Sequence, residues 1–314
     1  MKSQKFKCLR KLVWLCSILL LALSLLPNLI PEYWLIDIFS NFKLQYLAVS
    51  IFCFVMVIFL FQKKWPAMLV LLISIGWNSY YILPYYFSNK NEHKEAEHQL
   101  KISSINLLSS NAEVNLVEKY IQQENPTVII LMELTPQWEI LLKDIIQNYP
   151  YHHLVPREDN FGIAVLSKHP LKAKTAYFGI NQKPSIVSEL NFNAKKLTIV
   201  ATHPAAPVDE KAFELRNLQM NNLMESRLNF SDYLVVIGDF NNSSFSNHFQ
   251  KLLEANLKDS RLGFGLLPTW PANFTPLQTT LDHCLVSKNI NVIDRTVGQN
   301  VGSDHLPISV TIEF

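Results

Sequence analysis

Residues 233–246 read YLVVIGDFNNSSFS, an apolar run of five that stops at a glycine and passes into a carboxylate and two amides. A short run this rich in β-branched side chains, bounded by turn residues, predicts a buried strand rather than a helix. A carboxylate at the end of such a strand is costly unless water, a partner or a cation compensates it. Asp239 and Asn241 are therefore candidate site residues, with turn capping as the competing role for Asp239.

The pattern repeats on both sides. Upstream, KISSINLL (101–108), TVIILMEL (127–134), FGIAVLSK (161–168), SIVSELNF (185–192) and KKLTIVATHP (195–204) read as strands. Downstream, LDHCLVSK (281–288) and LPISVTIEF (306–314) do the same. Between them NAEVNLVEKYIQQENP (111–126), TPQWEILLKDIIQNY (135–149), VDEKAFELRNLQMNNLMESRL (208–228) and NHFQKLLEAN (247–256) carry helical apolar spacing. Strands and helices interspersed over 101–314 predict one layered α/β domain. The whole chain has 8 glycines and contains no GxGxxG, Walker or GxSxG sequence, which removes nucleotide-fold and serine-hydrolase readings.

The polar residues with chemical potential gather at strand ends: Asn106, Glu133, His203, Asp282 with His283, and Asp304 with His305. Carboxylates arriving from separate strands make an oxygen-rich site that suits Mg²⁺ or Mn²⁺ better than zinc.

Taken in order, INLLSSN (105–111), LMELTPQW (131–138), NFGIAVLSKHPL (160–171), ATHPAAP (201–207), VVIGDFNNSSFS (235–246), LDHCLVS (281–287) and GSDHLPI (302–308) resemble the endonuclease/exonuclease/phosphatase superfamily. The resemblance covers about residues 100–314, and GDFN, LDH and the terminal SDH carry most of it. It implies a DNase I-like four-layered α/β sandwich and metal-assisted hydrolysis of a phosphate ester with Mg²⁺ or Mn²⁺. It makes Glu133 the main metal ligand, with Asn106 and Asp304 beside it. His305 becomes the base or phosphate-directed histidine oriented by Asp282; Asp239 and Asn241 position the attacking water, and His203 binds phosphate. Thr127 stands where the family pattern has an acidic residue. Arg157 and Arg216 are phosphate contacts or solvated surface, and Trp270 either stacks on substrate or fills a loop core.

Residues 1–89 differ in kind. They hold 8 basic and 2 acidic side chains, against 20 and 24 in the remainder. Apolar stretches at 12–30, 44–61 and 65–84 carry no charge and are each long enough for a transmembrane helix. Five basic residues precede the first, and Lys63 and Lys64 lie between the second and third, while the loop before the second holds Glu32 and Asp37 against Lys43. Positive flanks favour the cytoplasm. Three transmembrane helices in an inner membrane, a linker over 90–100 and a catalytic domain over 101–314 facing the periplasm or exterior follow as expectations. The spans show no polar or charged constellation of the kind a transporter needs, so anchoring is their expected role. Only Cys284 lies beyond residue 89, so that part forms no internal disulfide.

The substrate reading stays divided. A nucleic acid fits the resemblance, whereas the acidic balance of the larger part argues against broad basic DNA binding. A lipid headgroup or small phosphoester fits a site held beside a lipid bilayer. A noncatalytic interaction domain is the third reading. No oligomeric state follows from the sequence.

Overall fold

The computed structural model describes residues 2–61, 64–87, 99–192 and 195–314. The linker expected at 90–100 lies almost wholly outside the described residues, as does Lys63.

The front of the chain forms helix α1 (Lys2–Leu29), a short α2 (Trp34–Asp37) running into a 3₁₀ turn (Ile38–Phe42), then α3 (Lys43–Leu60), α4 (Trp65–Ile82) and a final turn α5 (Pro84–Phe87). Phe6–Leu29 and Trp34–Leu60 are long and apolar enough to cross a membrane. The third expected span is narrowed: α4 is an 18-residue helix, but Trp77, Asn78, Ser79, Tyr80 and Tyr81 dilute its apolar character near the C-terminal end. The helices pack through Val13, Leu20, Cys53, Val57 and Leu71. Their interior also holds polar side chains. Ser74 Oγ lies 2.8 Å from Ser24 Oγ and 2.9 Å from Ser50 Oγ, and Asn78 donates to Ser24 at 2.7 Å. Each helix contributes one or two such groups, so no single stretch of sequence displays the cluster. Hydrogen bonds of this kind hold helices together where apolar packing alone is unselective.

The larger part begins with β1 (Gln99–Asn106), α6 (Val114–Glu124), β2 (Val128–Met132), α7 (Pro136–Leu141), α8 (Lys143–Gln147), β3 (Tyr151–Val155) and β4 (Ile163–Ser167). It continues through β5 (Leu171–Ala176), β6 (Ser185–Phe192), β7 (Lys195–Thr202), α9 (Glu210–Glu225), β8 (Tyr233–Asp239), α10 (Asn247–Leu253) and β9 (Leu257–Asp259). The last three strands are β10 (Asp282–Ser287), β11 (Asn291–Val297) and β12 (Ile308–Glu313). One six-stranded sheet runs β11-β12-β1-β2-β4-β3, the other β5-β6-β7-β8-β10-β9.

Period-two alternation explains the layering. In β2, Val128, Ile130 and Met132 face the second sheet, whereas Ile129 and Leu131 pack under α6, α7 and α8 beside Val117, Trp138 and Ile145. In β8, Val235 and Ile237 enter the inter-sheet core, and Leu234 and Val236 meet Met220 of α9 and Phe249 of α10. Strands buried on both faces read as unbroken apolar runs. The result is the expected four-layered α/β sandwich.

The sheet directions set the site. Parallel pairing of β1 with β2 and of β7 with β8 brings Asn106, Glu133, His203 and Asp239 to one edge. Antiparallel β10 and β12 start at that edge, so Asp282 lies opposite Asp239 in the ladder and Asp304 and His305 enter just before β12.

Candidate active site

Local backbone geometry aims the carboxylates inward. Glu133 (φ 56°) and Asn241 (φ 49°) both adopt the left-handed conformation that costs a non-glycine residue energy. Gly238, at φ 147°, lies so close to β7 that a Cβ there would stand 2.0 Å from the Thr202 carbonyl oxygen. The glycine before Asp239 therefore lets β8 approach β7 while turning the aspartate to the edge.

His305 Nδ1 lies 2.8 Å from Asp282 Oδ2, and its Nε2 is 3.5 Å from Asp239 Oδ2. His203 Nε2 approaches the same Asp239 oxygen at 3.4 Å, and Asn106 Nδ2 donates to it at 3.3 Å. The other Asp239 oxygen accepts from Asn241 N at 2.8 Å, and Asn241 Nδ2 donates to the Pro204 carbonyl at 3.1 Å. Glu133 Oε2 accepts from Ser109 N at 2.9 Å, and Asp304 Oδ2 from Trp270 Nε1 at 3.1 Å.

These contacts settle charge. Burial disfavours the imidazolium of His305, but Asp282 and Asp239 outweigh it and push its pKa up to about 10. Burial likewise opposes ionisation of Asp239, yet His305, His203 and the Asn241 N–H hold it down to about 2. Near neutral pH the edge therefore pairs a charged imidazolium with an ionised carboxylate.

Asp239, Asp282 and His305 each present a ligand atom within 4.8 Å of the others, a spacing able to hold a metal ion. His305 Nδ1 and Asp282 are better described as hydrogen-bonded, since 2.8 Å is an ordinary hydrogen-bond length. Glu133 and Asp304 each keep one carboxylate oxygen without a protein donor among the described residues.

Glu133, His203, Asp239, Asn241, Asp304, His305 and Trp270 line one cleft of about 390 Å³. Asn106 and Asp282 sit behind that lining and hold Asp239 and His305. The arginines behave otherwise. Arg157 is tied to Asp159 at 2.6 Å and does not line the cleft. Arg216 is no phosphate contact: it is 2% exposed, pairs with Asp37 at 3.0 Å and donates to the Asn241 carbonyl at 2.9 Å. Trp270 lines the cleft, and its indole N–H donates to Asp304.

Sequence reasoning missed Ile38 and Asn41, which reach the cleft wall from the segment between α1 and α3. It treated Asp37 only as a loop charge. A carboxylate inside an apolar run such as WLIDIF (34–39) is a signal that a cationic partner lies elsewhere in the fold, and Arg216 is that partner.

Solved structures with the same fold include D. rerio TDP2 complexed with single strand DNA product, at 18% identity and a TM-score of 0.59 over 69% of this chain and 99% of that one. An endonuclease/exonuclease/phosphatase family protein from Leptotrichia buccalis matches at 19% identity and 0.56 over 68% of this chain and all of its own. The human Nocturnin catalytic domain with bound sulfate matches at 18% and 0.56, over 69% and 93%. No curated protein matches the chain. The model of the Endonuclease/Exonuclease/phosphatase family matches residues 103–305, a span from within β1 to His305 that takes in every strand-end residue described above, and the chain belongs to that family.

Proposed function

We propose that this chain is a membrane-anchored hydrolase of phosphodiesters that works with Mg²⁺ or Mn²⁺, its catalytic domain facing the periplasm or cell exterior. Family membership supports phosphoester hydrolysis in general. The observation that carries the reading is the Asp282–His305–Asp239 chain opening on the same cleft as Glu133.

The donor set fits a hard cation. Glu133 and Asp304 offer carboxylates to the cleft, and oxygens of this kind suit Mg²⁺ or Mn²⁺. Those two would hold the ion, which would supply charge neutralisation and polarisation of a phosphoryl oxygen; Asn106, expected as a ligand beside them, instead accepts from Leu108 N and donates to Asp239 from behind the lining. The remaining chemistry belongs to the chain. Asp282 fixes the tautomer and charge of His305, whose Nε2–H then donates to a phosphoryl oxygen as negative charge grows there. Asp239, ionised and held by Asn241, accepts a hydrogen bond from the attacking water and orients it. His203 lines the same cleft with its Nε2 beside Asp239, and would steady charge on the substrate phosphate.

Membrane anchoring draws on the outward faces of the first helices, where Leu15, Phe52, Phe59 and Leu72 are all more than half exposed. Such a surface suits lipid better than water. Arg10 Nε donates to the Leu60 carbonyl, so the basic start of α1 lies beside the end of α3. Asn28 and Tyr85 touch the catalytic domain at the opposite end of the helices. The positive-inside preference then directs residues 101–314 outward.

The test is purified full-length protein with Mg²⁺ or Mn²⁺ against a panel of bis(p-nitrophenyl) phosphate, single-stranded DNA, duplex DNA, RNA and phospholipid. Turnover is expected that EDTA abolishes and that Glu133→Gln lowers at least ~10²-fold. Turnover indifferent to both would overturn the reading. A C-terminal topology reporter is expected to read outside the cytoplasm, and a cytoplasmic signal would sink the orientation.

A further inference from the structure

The cleft is not built by the catalytic domain alone. Ile38 and Asn41, from the segment that joins the first two long helices, stand in its wall with His203, Asp239 and His305. That segment is fixed in place rather than resting there. Asp37 is buried and accepts from Arg216 at 3.0 Å and Ser246 at 2.7 Å. Thr279 Oγ1 donates to the Asn41 carbonyl at 3.0 Å, and Ser243 Oγ to the Ser40 carbonyl at 3.2 Å.

The wall this segment joins is apolar. Ile38 is accompanied by Pro207, Val208 and Leu281, and Val208 is 75% exposed. Around it the same segment leaves Leu35 and Phe39 uncovered, and the loop beside the start of α3, where Gln45 donates to the Pro276 carbonyl, leaves Phe274 and Leu277 uncovered. Apolar side chains thus run from the ends of the helices to the mouth of the cleft. The lining includes Glu133, Asp239 and Asp304 but neither lysine nor arginine. A nucleic acid chain presents a phosphate at every residue and is held by repeated cationic contacts. This cleft offers polar groups for one phosphoester and apolar surface next to it.

We infer that the segment between the first two helices is a wall of the active site, and that the cleft takes the phosphodiester of a lipid resident in the bilayer, with the lipid's apolar root against Ile38 and Val208. The inference rests on the hydrolase reading above. Water adds across one P–O ester bond: its oxygen bonds to phosphorus, the bond to the leaving alcohol oxygen breaks, and that oxygen takes the proton. A site at the helix ends receives such a substrate without lifting it out of the membrane.

The experiment reconstitutes the full chain with Mg²⁺ in vesicles of phosphatidylethanolamine and phosphatidylglycerol, and reads lipid products by mass spectrometry. Bis(p-nitrophenyl) phosphate and a single-stranded oligonucleotide are run in parallel. Lipid turnover is expected to exceed oligonucleotide turnover. Ile38→Asp is expected to lower the ratio of lipid to soluble-diester turnover at least tenfold, and Ile38→Leu to restore it. If Ile38→Asp fails to fold, Val208→Asp, at an exposed position, reads the same ratio. Glu133-dependent cleavage of the oligonucleotide or soluble diester with intact lipid overturns the inference and leaves the hydrolase reading standing, as does an unchanged ratio in both variants. Absence of Glu133-dependent turnover of any phosphoester overturns both.

Discussion

His283 and His305 are both buried, yet their neighbours hold them in opposite protonation states. His305 meets two carboxylates. His283 donates from Nε2 to the Asn242 carbonyl at 2.8 Å, accepts at Nδ1 from Arg261 at 3.3 Å, and packs against Phe249. Burial first, then the Arg261 charge, lower its pKa to about 3. Its partners suit the neutral ring, so it is a core histidine. Between its folded value and the ordinary 6.5 the unfolded chain binds the extra proton, so stability rises with pH there and falls as pH drops. From pH 7 to pH 5 the expected loss is about 2 kcal/mol, from ~1.4 kcal/mol per pH unit below the unfolded pKa. In melts of the full chain in detergent, followed by tryptophan fluorescence, the stability that wild type holds over His283→Gln should shrink by this amount from pH 7 to pH 5. Parallel curves for the two proteins over pH 5–7 would refute it. At His305 the expectation concerns rate: Asp282→Asn removes the group that orients and charges the imidazole, and should lower kcat on a soluble diester at least ~10²-fold with little change in KM. A drop confined to KM would assign Asp282 to binding instead.

Strands that are buried on both faces announced themselves, because β2 and β8 sit between layers and read as continuous apolar runs. The edges did not. Strands β5 and β11 went unread in the sequence: LKAKTA places lysines on an edge strand, as edges commonly do to discourage further pairing, and NVIDRTV carries a register shift between Val292 and Asp294 that breaks its alternation. The segment 135–149 has one helical period but folds as α7 and α8, parted at Leu142. Periodicity records which face is buried, and both short helices bury the same one, against Leu131 and Leu166. The Asp37–Arg216 pair belongs to this scale too, since it joins the interhelical segment to α9 across 179 positions of sequence. Removing one partner of a buried pair leaves the other charge uncompensated, so Asp37→Asn or Arg216→Met alone should cost ~3–5 kcal/mol. The double variant should recover much of that loss. Because Arg216 also holds the Asn241 carbonyl, the single variants should lower turnover beyond what their folded fraction explains. Additive losses in the cycle would deny the coupling.

At the scale of the molecule, the strand-end residues were legible because motif order survives in the sequence, whereas the meeting of helices and sandwich was not. It is made of contacts too far apart to leave a local pattern. Phe245 and Leu266 of the sandwich pack with Ile82 and Tyr85 at the helix ends, and Asn28 donates to the Phe245 carbonyl at 2.9 Å while Asn247 donates back to the Asn28 carbonyl at 2.8 Å. Tyr85 also reaches Asp259 at 3.3 Å. A chain cut to residues 88–314 would expose this apolar face and leave Arg216 without Asp37. Loss of one buried partner and of several packed side chains each costs a few kcal/mol, a large share of what holds a domain folded. The truncated protein should therefore melt lower than the full chain and associate in solution. Phe245→Ser with Leu266→Asn should relieve that association in the truncated protein while destabilising the full chain, because the same side chains are surface in one and core in the other. Size-exclusion and melting measurements on the four proteins decide it. A truncated domain that is monomeric and as stable as the full chain would show that the helices only tether it.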